Sequence, residues 1–422
     1  MSLLTELTKT ELIARREALQ AVYDDYKARG LKLDMSRGKP GAEQLDLSAG
    51  LLTCVAADDY FAADGTDTRN YGILCGIPEA RQLFGDIFGV PAANVIVGGN
   101  ASLTLMYDYL STAYWRGVCG GKPWAEQAPK FLCPVPGYDR HFAITEFLGI
   151  EMINVPLGVD GPDMDMVEEL VKDPSVKGMW CVPMYANPTG ITYSDETVRR
   201  LAALQPAAED FRIMWDNAYC LHHGRDTHDT LLNLYTEAEK LGHEDMVMMF
   251  TSTSKISFPG AGVGAMAASP KNIADVQKRM TVQTIGYDKM NMLRHVKFFG
   301  DLTGIQAHME LHAAVLRPRF EAVEKALSQE LAGKGIASWT TPNGGYFVSV
   351  DLLPGTAKET VRLLKEAGVV LTGAGATYPY GNDPQDSTLR IAPSYPPVAE
   401  LEVAMALFCV CAELAAVNKL LG

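Results

Sequence analysis

Between about residue 46 and residue 300, short apolar runs at 94–98, 130–133, 150–157, 178–183, 211–215 and 246–250 alternate with segments of helical periodicity. No other feature constrains the fold as much. Strands of that length, each followed by a helix, pair in parallel and need helices on both faces of the sheet to keep their apolar sides from water. The flanking regions read differently. Residues 6–29 carry a charged helical pattern that ends in a Gly/Pro break at 37–41. Residues 303–333 form a long helical pattern, followed by strand patterns at 338–340 and 346–350 around Asn343, Gly344 and Gly345. A helix at 357–367, strands near 369–372 and 388–392 and a helix from 397 complete the chain. With 422 residues, 47% of them hydrophobic, the chain can bury more than one core. The expected organisation is α/β: a large domain over 46–300 and a smaller α+β domain assembled from 1–45 and 301–422.

In open parallel sheets, ligands bind outside the carboxyl ends of the strands. Three such ends carry the functional argument. The first is Tyr185-Ala186-Asn187-Pro188-Thr189-Gly190, the second Trp215-Asp216-Asn217-Ala218-Tyr219, and the third Thr251-Ser252-Thr253-Ser254-Lys255. Lys255 is the only charged residue from Met246 to Ala268. An amine with little solvation and no counter-charge nearby deprotonates more readily, which is what a Schiff-base lysine requires. Taken singly, Asn-Pro-Thr-Gly is a stiff turn and Lys255 a loop lysine. Together, an amide, then a carboxylate with a tyrosine, then a lysine match the needs of pyridoxal phosphate. Asp216 would pair with the ring nitrogen, Asn187 and Tyr219 would hydrogen-bond the phenolate oxygen, and Lys255 would bind the aldehyde carbon.

A phosphate cradle can also be read. Val95-Ile96-Val97 is a strand, and Gly98, Gly99, Asn100, Ala101 and Ser102 lead into a helix with Leu103, Met106 and Leu110 along it. Backbone amides at that N-terminus would hold an anion, although a plain helix cap reads the same way. Ser252 and Ser254 are further donors.

In order and spacing, these motifs resemble the fold type I, class I and II aminotransferases over nearly the whole chain. More narrowly, Arg37-Gly38-Lys39-Pro40, Pro136-Gly137-Tyr138-Asp139-Arg140-His141-Phe142 and the segment 251–264 resemble a bacterial, MocR-related subgroup of aspartate aminotransferases. The resemblance implies a mainly parallel seven-stranded sheet and a ping-pong exchange of an amino group between an amino acid and a 2-oxo acid. It implies that Tyr138 stacks on the cofactor, Tyr71 reaches the phosphate of a neighbouring subunit in a homodimer with shared sites, and Arg390 binds the α-carboxylate. Arg390 interrupts the apolar strand Thr388-Leu389-Arg390-Ile391, and a buried arginine requires an anionic partner, whether ligand or structural salt bridge. The chain departs from the wider family at Gly262, which stands where relatives carry a phosphate-binding arginine; Lys289 and Arg294 are the candidate replacements. For a distal carboxylate the available cations are Arg37, Lys39, Arg140, Lys289 and Arg294, and Lys39, fixed between Gly38 and Pro40, is the expected one. A β-lyase would share all the cofactor residues. A ligand-sensing regulator would need a basic helix-turn-helix, which 1–45 does not carry.

Other classes are disfavoured. A formal charge of −14 argues against nucleic acid. No apolar run has the length of a membrane span and no secretory h-region begins the chain, so a cytoplasmic protein is expected. The eight cysteines contain no CxxC pair and read as reduced core residues. His308, Glu310 and His312 form HxExH rather than HExxH, and no metal site is expected. His222 and His223 read as packing residues.

Overall fold

The computed structural model describes residues 3–422, so the first two residues of the expected small domain lie outside the described residues. Its central sheet has eight strands in the order Val95–Val97, Gly264–Ala268, Val247–Ser252, Arg212–Asp216, Val176–Cys181, Lys130–Val135, Glu151–Gly158 and Gly161–Pro162. The five strands from Val247–Ser252 to Glu151–Gly158 pair in parallel. Gly264–Ala268 runs against both neighbours, and the two-residue Gly161–Pro162 closes the edge as an antiparallel hairpin. The expected seven strands are present, and this hairpin residue pair makes the eighth. Pairing in the strand interiors is why these runs are apolar on both sides: every residue of Val176–Cys181, Arg212–Asp216 and Val247–Ser252 is buried.

The helices begin where side chains can accept their free amides. Ser194, Asn233, Ser269, Asp288 and Asp301 each cap the helix that follows them. Thr8 and Glu11 form a reciprocal capping box at the start of Lys9–Ala28. Apolar residues gather on both faces of the sheet, one group around Trp215 and Ile213, the other around Met214, Trp180 and Phe131. A separate core joins Leu12, Leu19 and Tyr23 to residues of Leu302–Glu330, Val348–Leu352, Ala357–Glu366 and Val398–Leu421. There a three-stranded antiparallel sheet has Val348–Leu352 at its centre, between Ala337–Trp339 and Thr388–Ile391.

The consequence for function is positional. Four adjacent parallel strands end on one edge of the sheet, and Tyr138, Asn187, Asp216 and Lys255 lie at or just beyond those ends. Val95–Val97 ends on the same edge, so Gly98 to Ser102 joins them.

Candidate active site

Asp216 is the last residue of Arg212–Asp216 and is buried. Its Oδ2 lies 2.9 Å from His141 Nε2. His141 is stacked on Trp180 with ring centroids 4.0 Å apart, and Trp180 donates to Thr145 Oγ1, which itself donates to the His141 carbonyl. That arrangement fixes the imidazole. Asp216 Oδ1, by contrast, is buried without a hydrogen-bond partner among the described residues. A buried acceptor left unpaired is costly, and the protonated ring nitrogen of pyridoxal phosphate is the donor that would satisfy it. By this test the site fits the cofactor.

Lys255 follows the Val247–Ser252 strand, and its Nζ lies 4.8 Å from the Tyr219 ring centroid. The loop around it is tied down from behind. Thr253 Oγ1 and Ser257 Oγ both contact His295 Nε2, at 3.1 and 2.8 Å. Tyr346 Oη donates to the Lys255 carbonyl and accepts from Gln44 Nε2, which also reaches His312 Nδ1. His308 meets His312 and the Ile256 carbonyl. So the two histidines of the HxExH pattern brace the lysine loop, and among the described residues no cluster of three or more potential ligands could hold a metal ion.

Tyr219 is buried, and burial followed by the Asp216 charge pushes its hydroxyl well above the usual range. It therefore stays protonated and can donate. Burial likewise pushes Tyr138 up to about 12. His222 is buried against Tyr219 and Tyr346, and burial, reinforced by Lys255, drives it down to about 3.

The turn from Gly98 to Ser102 leads into a helix whose first amides have no side-chain cap. Ala101 stands at the N-cap of Ser102–Arg116 with no side-chain bond to the first amides, and Gly99 adopts a left-handed φ of 67°. The helix buries Leu105, Met106, Tyr109 and Leu110, with Leu103 only partly covered. A Cβ on Gly262 would sit 3.0 Å from the Asn100 carbonyl and 3.4 Å from Ser254 Cα, so the cradle and the lysine loop converge there. Ser252 Oγ bonds Ser254 Oγ at 3.0 Å. The hydrogen bonds to the Gly262 loop come from Asn291 Nδ2, at 2.9 Å to Ala261 and 3.0 Å to Gly262. Lys289 is buried with its Nζ 3.0 Å from the Gly72 carbonyl, beside Tyr71, whose side chain is 81% exposed. Arg294 lies one turn further along the same helix.

A cavity of about 300 Å³ opens above Lys255, lined also by Arg37, Gly38, Tyr138, Asn187, Tyr219 and Arg390. Arg390, buried in Thr388–Ile391, donates from Nη1 to Asp139 Oδ1 and Asn187 Oδ1 and from Nη2 to Thr372 Oγ1. Both readings of its charge meet here, since it lines the cavity and is salt-bridged to Asp139. Lys39 Nζ lies 3.8 Å from the Tyr395 ring centroid, whereas Arg37 and Arg140 line the cavity. A cation over an aromatic face is attracted to it and held there; a turn flanked by Gly38 and Pro40 does not reveal that partner. Sequence reasoning also assigned no role to His141, Gln44, His295 or Tyr346, whose partners are remote in the chain.

The family model described as aspartate amino-transferase matches residues 7–422. The aspartate aminotransferase of Corynebacterium glutamicum is 48% identical over 95% of this chain and 93% of its own. A crystal structure of an aspartate transaminase from the same organism superposes with a TM-score of 0.97 at 46% identity, covering 99% of both chains. An α-aminoadipate aminotransferase from Thermus thermophilus, crystallised with N-(5'-phosphopyridoxyl)-L-leucine, shares the fold at 19% identity, with a TM-score of 0.75 over 98% of this chain and 100% of its own.

Proposed function

This chain belongs to the aspartate aminotransferase family, and from that premise we propose that it exchanges the amino group between aspartate or glutamate and a 2-oxo acid. The observation that carries the reading is the unpartnered, buried Asp216 Oδ1, backed by His141 and set beneath the cavity that Lys255 and Arg390 line. Bound pyridoxal phosphate supplies an electrophilic carbon and a cationic ring that withdraws electrons from the substrate Cα.

The residues of the chain do the rest. Asp216 would hold the proton on the ring nitrogen, with His141 Nε2 fixing the other carboxylate oxygen. Tyr219 and Asn187 would donate to the phenolate oxygen, and Tyr138 would cover the ring. The amides of Gly99 to Ser102, with the Ser252 and Ser254 hydroxyls, would hold the phosphate. Arg390 would orient the α-carboxylate so that the Cα proton faces Lys255 Nζ, and the lysine amine would be the general base for that proton. Arg37 and Arg140, which line the cavity, would meet the distal carboxylate.

The same reading places the cofactor on 46–300 and lets 1–45 with 301–422 close over the substrate. It makes the enzyme a homodimer in which the exposed Tyr71 completes the partner's phosphate site. Eight free cysteines support a cytoplasmic setting, and among the described residues no helix is long and apolar enough to cross a membrane.

The test is spectroscopic and kinetic. The purified protein loaded with pyridoxal phosphate absorbs in the visible, aspartate bleaches that band, and Lys255→Ala removes both the lysine-linked absorbance and turnover. An alanine variant that retains more than a small fraction of wild-type transamination would refute the assignment.

A further inference from the structure

Arg390 already holds a carboxylate of its own chain. Nη1 donates to Asp139 Oδ1 at 3.0 Å and to Asn187 Oδ1 at 3.1 Å, and Nη2 donates to Thr372 Oγ1 at 3.0 Å. Nε is buried and has no hydrogen-bond partner among the described residues. A carboxylate that binds through Nη1 has to displace Asp139, which already takes that donor. The two partners differ in freedom. The Arg390 side chain is 7% exposed, whereas Asp139 is 32% exposed and lines the same cavity. The element that can move is Asp139.

A guanidinium this buried is costly without a negative partner. With the site free of substrate, Asp139 provides that partner and keeps the guanidinium oriented by Asn187 and Thr372. When a substrate arrives, two carboxylates contend for one cation. We infer that Asp139 is an internal competitor for the substrate-carboxylate site: it neutralises Arg390 between turnovers, must yield to every α-carboxylate, and returns as the product leaves. Because the α-carboxylate is common to all substrates and products, the penalty falls on all of them alike. It weakens binding and speeds release without altering the choice among side chains, and the selectivity stays with Arg37 and Arg140.

This rests on Arg390 being the α-carboxylate site, and the experiment separates the two ideas. The pyridoxal phosphate-loaded enzyme is titrated calorimetrically with maleate, an unreactive dicarboxylate, in wild type, Asp139→Asn, Asp139→Ser and Arg390→Ala. Asp139→Asn keeps the shape and an acceptor oxygen while removing the charge, and Asp139→Ser keeps a helix-start residue should the amide variant fold poorly. Loss of the competing charge tightens maleate roughly tenfold, equivalent to ~1.4 kcal/mol. The KM values for aspartate and alanine fall by a similar factor, so that their ratio of kcat/KM is preserved. If Arg390→Ala loses maleate binding but neither Asp139 variant tightens it, the inference fails and the functional reading stands. If Arg390→Ala binds maleate as wild type does, the carboxylate reading of Arg390 fails, and the inference goes with it. Weaker binding in both Asp139 variants, with the fold intact by thermal unfolding, makes Asp139 a structural support and likewise overturns the proposal.

Discussion

A carboxylate taken out of water keeps its charge only when hydrogen bonds or cations hold it, and Asp216 is provided with one such partner and an opening for a second. His141 supplies the partner at 2.9 Å, and Oδ1 has no partner among the described residues. Asp216→Ala is therefore expected to retain part of its cofactor and lose nearly all of its rate, while His141→Ala retains Asp216 but loosens it. A hydrogen bond to a charged group contributes about 1.5–3 kcal/mol, so His141→Ala lowers kcat on the order of 10- to 100-fold, well short of the Asp216 loss. Single-turnover rates with aspartate measure both, and equal rates for wild type and Asp216→Ala would remove Asp216 from the mechanism. Lys255, Asp216, Asn187 and Arg390 stand out in the sequence because each lies within, at the end of or just beyond an apolar strand, where a polar residue needs a reason. His141 was not, because its role depends on a residue 75 positions away and on the Trp180 ring beneath it. The place of Lys39 was not legible for the related reason that a cation on a rigid turn has several destinations, and here its Nζ lies over the Tyr395 ring.

At the scale of elements, the helix Ser102–Arg116 depends on the turn before it. A Cβ on Gly98 would come 2.5 Å from the Tyr287 ring, and the Gly98 amide donates to the Gly264 carbonyl at 2.8 Å. Gly98→Ala thus forces either Tyr287 or the turn to move, and the amides aimed at the phosphate move with the turn. The expected outcome is cofactor affinity lowered about tenfold, or ~1.4 kcal/mol, read from absorbance titration of the apoenzyme. Tyr287→Ala in the same chain recovers part of it, as a coupled pair should; no recovery would mean that the ring is not the obstacle. Most elements were legible from periodicity, with ends shifted by one to three residues, because strands buried on both faces and amphipathic helices differ in pattern. Gly264–Ala268 was not among the apolar runs. Glycine and alanine give no strand signal of their own, and this strand exists because small residues let it lie between Val95–Val97 and Val247–Ser252. Its reversal of direction is what brings the Gly262 loop against Asn100.

For the molecule as a whole, the difficulty is to gather anions into a protein of formal charge −14. The answer lies in the cavity lining, where Arg37, Arg140, Lys255 and Arg390 face a single acid, Asp139. Opposed fields of this kind concentrate doubly charged ligands locally although the far field repels them. Two unit charges 4 Å apart interact by ~4 kcal/mol at an effective dielectric near 20. Desolvation and the ordering of a long side chain remove much of this, and a residue of 1.4 kcal/mol still gives roughly tenfold preference. Arg37 and Arg140 are exposed at the mouth, and neither has a carboxylate partner among the described ion pairs, so both are free to take up a distal carboxylate. Lys39 is engaged with Tyr395. The prediction is that wild type prefers aspartate to alanine by at least tenfold in kcat/KM, and that Arg37→Ala or Arg140→Ala erodes this preference by about tenfold through KM. Lys39→Ala leaves it within about twofold. Raising the ionic strength should raise the KM for aspartate more than that for alanine, because screening acts on the additional charge pair. A wild type that uses alanine as efficiently as aspartate would sink the aspartate specificity while leaving the pyridoxal chemistry of Lys255 untouched. A loss of preference confined to Lys39→Ala would return the distal site to the turn between Gly38 and Pro40.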